Sequence, residues 1–283
     1  MPNSLIRNIS DTARWTAVCR ARETERPDAL FRDPFARRLA GERGEEIANS
    51  IRSGNNWSWL ARTHLFDSFL LAQLKQDCDM VINLAAGLDA RPYRMDLPAS
   101  LKWIEVDLPD ILEYKQEILA AEVPKCTLER VALDLSNVAA RRELFDQLGR
   151  RSNKALIMSE GLIIYFTAEE VGALAQDLRA PESFQHWIVD LASLGLLKLL
   201  RKKMAKEMGE RAVLRFAPAE RPEYFRPYGW TPLETHSLLK TAGRLKRLPL
   251  FLELVAPFTP EVPTPKQSHR PWGGICLLEK AAG

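Results

Sequence analysis

Long apolar runs are missing from this 283-residue chain. The longest, LASLGLL, stops at Lys198, far short of the roughly twenty residues that a bilayer span needs. The N-terminus, MPNSLIRNISDTARW, lacks the apolar core of a secretory leader. Cysteine is scarce. Cys19, Cys78, Cys126 and Cys276 are scattered with no CxxC pair, and the four histidines form neither HxxH nor HExxH, so no zinc site is expected. Unpaired cysteines at this density suit a reducing cytoplasm. A large excess of one charge is also missing: the net charge is +3, and a pI near 8.7 permits nucleic-acid binding without arguing for it. There is no GxxxxGK[ST], which removes the phosphate cradle of a P-loop NTPase, and no GxGxxG, which removes the glycine-lined approach for a pyrophosphate. These absences lead us to expect a soluble cytoplasmic protein with no metal, nucleic-acid or membrane partner.

What is present is a change of rhythm near residue 77. Residues 9–76 read as helical. Ser10 or Asp11 can cap a first helix that presents Trp15, Val18 and Cys19 on one side. Asp33-Pro34 reads as an N-cap followed by proline at the first helical position, and a third helix over 57–76 carries Leu65, Phe69, Leu70 and Leu74. Short apolar runs then recur at 80–86, 101–108, 128–135, 155–162 and 186–193, with helix-start signals between them: Pro109, and the Thr167/Glu170 capping box. Strands alternating with helices give βαβ units and a parallel sheet covered on both faces. Residues 194–230 break the rhythm as an insert. A second capping box, Thr231/Glu234, with Gly243 at the end, predicts a helix over 231–243, and the segments 244–254 and 273–281 read as two closing strands with an antiparallel end to the sheet. The expected organisation is a helical cap (1–76), an α/β core (77–193), a lid insert (194–230) and a completion of the core sheet (231–283), all in one structural domain.

In open α/β sheets, ligands bind beyond the carboxyl ends of the strands. The expected first strand ends at Ala85-Ala86-Gly87, the second at Asp107, the third at Asp134-Leu135, and the fourth contains Glu160. Acids at successive strand ends suit hydroxyls and positive charge rather than phosphate. A nucleoside with a cationic tail and no phosphate, S-adenosyl-L-methionine, fits them: Gly87 beside the methionine moiety, Asp107 on the ribose, Asp134 and Leu135 at the adenine, and Arg62 in WLARTHLFD balancing the methionine carboxylate. A carboxylate such as Glu160 inside a buried strand is costly without a partner, which marks it for function.

NLAAGLDARPYRMDLP, WIEVDLPDILEYKQEIL and SEGLIIYFTAEEV resemble the leucine carboxyl methyltransferase family. They are closest to its bacterial branch of S-adenosylmethionine-dependent O-methyltransferases of natural-product type, as is TARWTAVCRARETERPDALFRDPFARRLAG. The resemblance covers roughly residues 10–195. It implies a class I methyltransferase α/β fold: a Rossmann-like sheet, mostly parallel with an antiparallel terminal strand, plus N-terminal helices and an inserted lid. It also implies the cofactor roles of Arg62, Gly87, Asp107, Asp134, Leu135 and Glu160, the last beside the methionine amine. Where the family has Gly-Ala-Gly, this chain has Ala85-Ala86-Gly87.

A carboxylate acceptor is ionised at neutral pH and needs no base, whereas a phenol would benefit from one. His64, His186 and His236 are the histidines considered for that role. His64 is nearest the cofactor elements in sequence, and Tyr165 is the other candidate for orienting the acceptor. The stretch 198–226 holds nine Lys/Arg and four Glu, a positive potential that would draw in an anion. We therefore expect an O-methyltransferase acting on a carboxylate of a small molecule or modified peptide. A polyketide-like phenol or hydroxyl and a protein C-terminal carboxylate are the alternative acceptors.

Overall fold

The computed structural model describes residues 9–50, 56–204 and 214–282. Helices α1 (Ile9–Thr24), α2 (Ala36–Ser50) and α3 (Trp57–Leu74) come first. Strand β1 (Met80–Leu84) leads through the short α4 (Arg91–Arg94) to β2 (Lys102–Asp107), and α5 (Pro109–Ile118) leads to β3 (Thr127–Ala132). Then follow α6 (Val138–Arg151), β4 (Ala155–Ser159), α7 (Ala168–Arg179) and β5 (Phe184–Ala192). The last part holds α8 (Leu194–Met204), β6 (Trp230–Ser237), α9 (Leu238–Arg244), α10 (Leu250–Val255) and β7 (Gly273–Lys280).

The strands form one sheet in the order β3-β2-β1-β4-β5-β7-β6. Strands β1 to β5 are parallel, and β7 runs antiparallel to both β5 and β6. The order reverses between β1 and β4, both of which are buried along their whole length. Their apolar runs are continuous because both faces are covered. Met80, Ile82, Leu84, Ile157 and Val189 point to a core shared with Phe145 and Leu148 of α6 and Leu174 and Leu178 of α7. Val81, Trp103, Leu156, Met158 and Ile188 point the other way, onto Leu65, Phe66, Phe69 and Leu70 of α3. Truncating a core side chain of this kind to alanine costs about 2–5 kcal/mol.

Local signals explain several boundaries. Pro109 stands at the first turn of α5, and the Thr167/Glu170 capping box opens α7 with both of its reciprocal bonds formed. Asp33 caps the entry to α2 by accepting the Phe35 N–H at 3.2 Å, and helical pairing starts two residues after Pro34. Asn137 caps α6 by accepting the Ala140 N–H, while Asp134 closes the preceding turn onto the Ser136 N–H.

Two expectations after residue 230 are corrected. Residues 230–237 are strand β6, so Thr231 and Glu234 form no capping box; the helix after it is capped by Ser237, which accepts the Lys240 N–H. Pro232 is tolerated because β6 is the edge strand and its register shifts between Pro232 and Glu234. Residues 244–254 form no strand. Pro249 precedes α10, whose leucine-rich sequence, LFLELV, is helical and pairs with no strand. The last expected strand, β7, and the antiparallel end to the sheet are present. Among the described residues, no helix is long and apolar enough to cross a membrane.

Candidate functional site

The carboxyl ends of β1, β2, β4 and β5 converge with the first turns of α3. At the end of β1 the chain turns through Ala85 and Gly87, both with positive φ, +53° and +49°. The Gly87 N–H donates to Asp107 Oδ2 at 2.6 Å, and the other oxygen of Asp107 accepts the Leu108 N–H at 2.7 Å. The second strand's acid is thereby locked onto the first strand's turn. Burial pushes the Asp107 carboxyl up, against the pull of these two N–H donors. A Cβ built on Gly87 would lie 3.5 Å from the Ala13 methyl, so α1 roofs this turn.

Beside the turn lies a buried ion network. Arg62 of α3 donates from Nε to Glu160 Oε1 at 3.0 Å and from Nη1 to Asp190 Oδ2 at 3.5 Å, with its face over the Trp59 ring. Arg62 Nη2 has no acceptor among the described residues. Gly161, at φ +72°, donates its N–H to Asp190 Oδ1 at 2.8 Å. A side chain at 161 would begin 3.1 Å from Arg62 Nη1, so glycine keeps this space open. Glu160 also meets Arg91 at 3.0 Å; Arg91 reaches Asp89 and Asp67 as well, and Arg94 pairs with Asp67. Asn83 donates to Asp89, which ties the network to β1.

The electrostatics follow from this packing. Burial opposes the charges of Asp67 and Asp89, but the arginines outweigh it: Arg94 and Arg91 hold Asp67 below the usual carboxylate range, and Arg91, Lys115 and Arg94 hold Asp89 well below it. Asp190 behaves oppositely. Burial pushes it up, and Arg62 only partly reverses the effect. In all, three arginines face four carboxylates. The site carries an excess negative charge, and Arg62 Nη2, like the buried Arg94 Nε, donates to no protein acceptor among the described residues, a set that fits a ligand with a positive centre and its own carboxylate.

The structure therefore brings Arg62 against Glu160, and Gly87 against Asp107. Asp134 is exposed just beyond β3, and Leu135 beside it is buried. Asp67, Arg91, Arg94 and Asp190 had no assigned role in the sequence. Tyr165 follows β4 in a 3-10 turn, Ile163–Tyr165, and its phenol is pushed up by burial despite Thr12 and Arg62. It is protonated at neutral pH, which leaves its O–H available as a donor. His64 is half-buried on α3, its pKa is lowered by burial against the pull of Asp67, and its ring has no hydrogen-bond partner among the described residues. Two other histidines have carboxylate neighbours. His186 pairs with Leu156 at the opposite end of the sheet and lies 3.8 Å from Glu279, while His236 is bonded to Glu234 on the edge strand. Among the described residues no group of His, Cys, Asp and Glu is arranged to hold a metal ion.

The strand order, the antiparallel β7 and a site at the β1/β4 reversal define a class I methyltransferase fold. A solved DUF574-family protein from Streptomyces avermitilis has the same fold, with a TM-score of 0.58, 14% identity and coverage of 95% of this chain and 97% of that one. The leucine carboxyl methyltransferase family model matches residues 13–179, and the chain belongs to that family. Two bacterial relatives are each described as a "putative S-adenosyl-L-methionine-dependent methyltransferase". One, from Parafrankia sp. (strain EAN1pec), is 36% identical over an alignment of 190 residues that covers 62% of this chain and 61% of the relative. The match thus spans less than two thirds of that relative's length. The other, from Mycobacterium sp. (strain KMS), is 29% identical over 271 residues, covering 84% of this chain and 88% of the relative.

Proposed function

We propose that this chain is an S-adenosylmethionine-dependent O-methyltransferase that esterifies a carboxylate of a small molecule or a modified peptide. S-adenosylmethionine, when bound, supplies an electrophilic methyl group on a cationic sulfur. The chain's own residues have the remaining work of binding, alignment and exclusion of water. Arg62 offers Nη2 to the carboxylate of the amino-acid tail, while Glu160 and Asp190 hold its other edges. Glu160 takes the tail's amine. Asp107 accepts from the ribose hydroxyls with the lone pairs its two backbone donors leave free, and Asp134 and Leu135 flank the adenine. Tyr165 donates a hydrogen bond to the acceptor, and α1 closes the site from above.

One observation carries the choice of acceptor. The acids at the carboxyl edge are ion-paired or bonded to backbone N–H groups, His186 stands at the opposite end of the sheet, and His236 is bonded to Glu234 on the edge strand. His64 is the histidine on the site's own helix, α3, and an acceptor that arrives ionised needs no base. The test uses labelled cofactor with carboxylate and phenol acceptors. A methyl ester releases methanol in mild alkali, whereas an aryl ether does not. We expect base-labile product and a single-turnover rate nearly flat from about pH 6 to 9, with His64→Ala lowering it less than tenfold. Alkali-stable product, or a hundredfold loss in a folded His64→Ala variant, the scale of a general base, identifies a hydroxyl acceptor instead.

A further inference from the structure

Between β6 and β7 the chain leaves the sheet for residues 238–272. It leaves and returns at the carboxyl edge, where Ser237 pairs with Gly274 and Gly273 with Ala192, so the excursion stands on the same edge as the site above. Its inner side is packed: Leu252 and Ala256 lie against Trp57, Ala61, Ala242 and Leu248. Its outer side is apolar and bare. Leu250 is 76% exposed, Phe251 67%, Leu254 70% and Phe258 88%. Single exposed apolar residues are ordinary, but four within nine positions, at helical spacing on one side, are not.

Charge is concentrated in the same region. Residues 238–272 hold six Lys/Arg and two Glu, a net of +4, and the insert 198–226 has a net of +5. Together they carry +9 in a chain whose total is +3, which leaves −6 for the rest. The two basic segments adjoin: the Gly195 N–H at the start of α8 donates to Ser268 O at 3.0 Å, and Ser193 Oγ donates to Arg270 O at 2.7 Å. Exposed Lys198 and Lys202 thus come from an element that abuts the one bearing Arg244, Lys246, Lys266 and Arg270.

We propose that this excursion docks on an anionic bilayer surface, with Leu250, Phe251, Leu254 and Phe258 entering the interfacial layer and the flanking lysines and arginines meeting acidic headgroups. Side chains that stand this clear of the surface line no groove, and a folded partner would need pockets to match each of them; a fluid bilayer closes round them without matching. Surface docking requires no spanning helix. Resting on the carboxyl-methylation reading, it adds an acceptor class: a carboxylate on an apolar body, presented at the bilayer interface to the edge where the site opens.

The experiment is co-sedimentation of the full chain with vesicles of phosphatidylcholine alone and of phosphatidylcholine mixed with phosphatidylglycerol. We expect clear preference for the mixed vesicles and weakening by salt. Lys246→Glu should lower partition roughly fivefold or more, the scale of a basic residue near an anionic surface. Phe251→Ser combined with Phe258→Ser should lower it more than tenfold, the scale of one buried aromatic side chain, at unchanged melting temperature and unchanged S-adenosylhomocysteine affinity. Absence of vesicle binding by the native chain overturns the proposal. So does equal binding by the double variant, and so does self-association without vesicle binding that the double variant abolishes, which would make the face a protein interface. Failure of the native chain to bind S-adenosylhomocysteine strikes the cofactor reading and leaves docking to be judged by the vesicles.

Discussion

Arg62 gives the sharpest test of the site. Its Nε and Nη1 are engaged by Glu160 and Asp190, its face covers Trp59, and Nη2 is left for a ligand. In Arg62→Ala that donor is lost. A hydrogen bond to a charged group is worth about 1.5–3 kcal/mol, which at 1.4 kcal/mol per factor of ten is a loss of about tenfold to somewhat over a hundredfold. The loss should be selective. S-adenosylhomocysteine carries the amino-acid tail that Arg62 would hold, whereas 5′-methylthioadenosine shares the nucleoside and lacks the tail's amine and carboxylate. Calorimetry on both ligands separates the role of Arg62 from damage to the fold. We expect the first to weaken by the stated factor and the second to change less than threefold. Equal weakening of both would mean that removing the guanidinium distorts the nucleoside pocket, and unchanged affinity for both would reduce Arg62 to a partner of Glu160 and Asp190.

Two further predictions follow from backbone strain and from charge. Ala85 holds a left-handed conformation that costs an alanine about 1–2 kcal/mol, and glycine there loses about 0.5–1 kcal/mol through its freer unfolded chain, so Ala85→Gly should gain up to about 1.5 kcal/mol and raise the melting temperature by up to about 3 °C; a lower melting temperature would show that the alanine methyl packs better than the turn is strained. Asp190, its pKa raised by burial, binds a proton more readily folded than unfolded, so the stability it contributes is present at low pH and lost as pH rises through its folded pKa. Asp190→Asn should therefore be more stabilising, or less destabilising, at pH 7 than at pH 4 in thermal melts; a difference that does not change between these pH values would refute it.

The central sheet was legible because burial on both faces forces continuous apolar runs, and β1, β2, β4 and β5 display them plainly. The misreadings fall where the core imposes no pattern. β6 is an edge strand that admits Pro232, and its Thr231/Glu234 spacing imitates a helix cap. Residues 244–254 are rich in leucine like a strand, but α10 packs Leu252 inward and leaves Leu250, Phe251 and Leu254 exposed, so most of the apolar residues record no buried face. The site divides in the same way. Gly87, Asp107 and Glu160 stand at strand ends, which sequence can locate. Asp190 and Arg91 draw their meaning from charges elsewhere: Arg62 and Asp190 are 128 positions apart, and Arg91 and Asp67 are 24. Pairing across such separations leaves no local mark. The two arginines of the GLDARPYR stretch are internal counter-ions of Asp67 and Asp89.

The roof over Gly87 has a consequence for timing. Two of the ties that hold helix α1 lie far apart: Arg20 donates to Leu88 O at 2.6 Å, beside the turn, and the fully buried Glu23 carboxylate receives Arg247 at 2.9 Å. Those last two residues are 224 positions apart, and Arg247 sits in the segment between α9 and α10. A rigid lift of α1 has to break both fastenings at once. Entry and exit of anything held beneath that helix would then be clocked by the far end of the chain, and substitutions at Arg247 would alter exchange rates without touching a bound molecule.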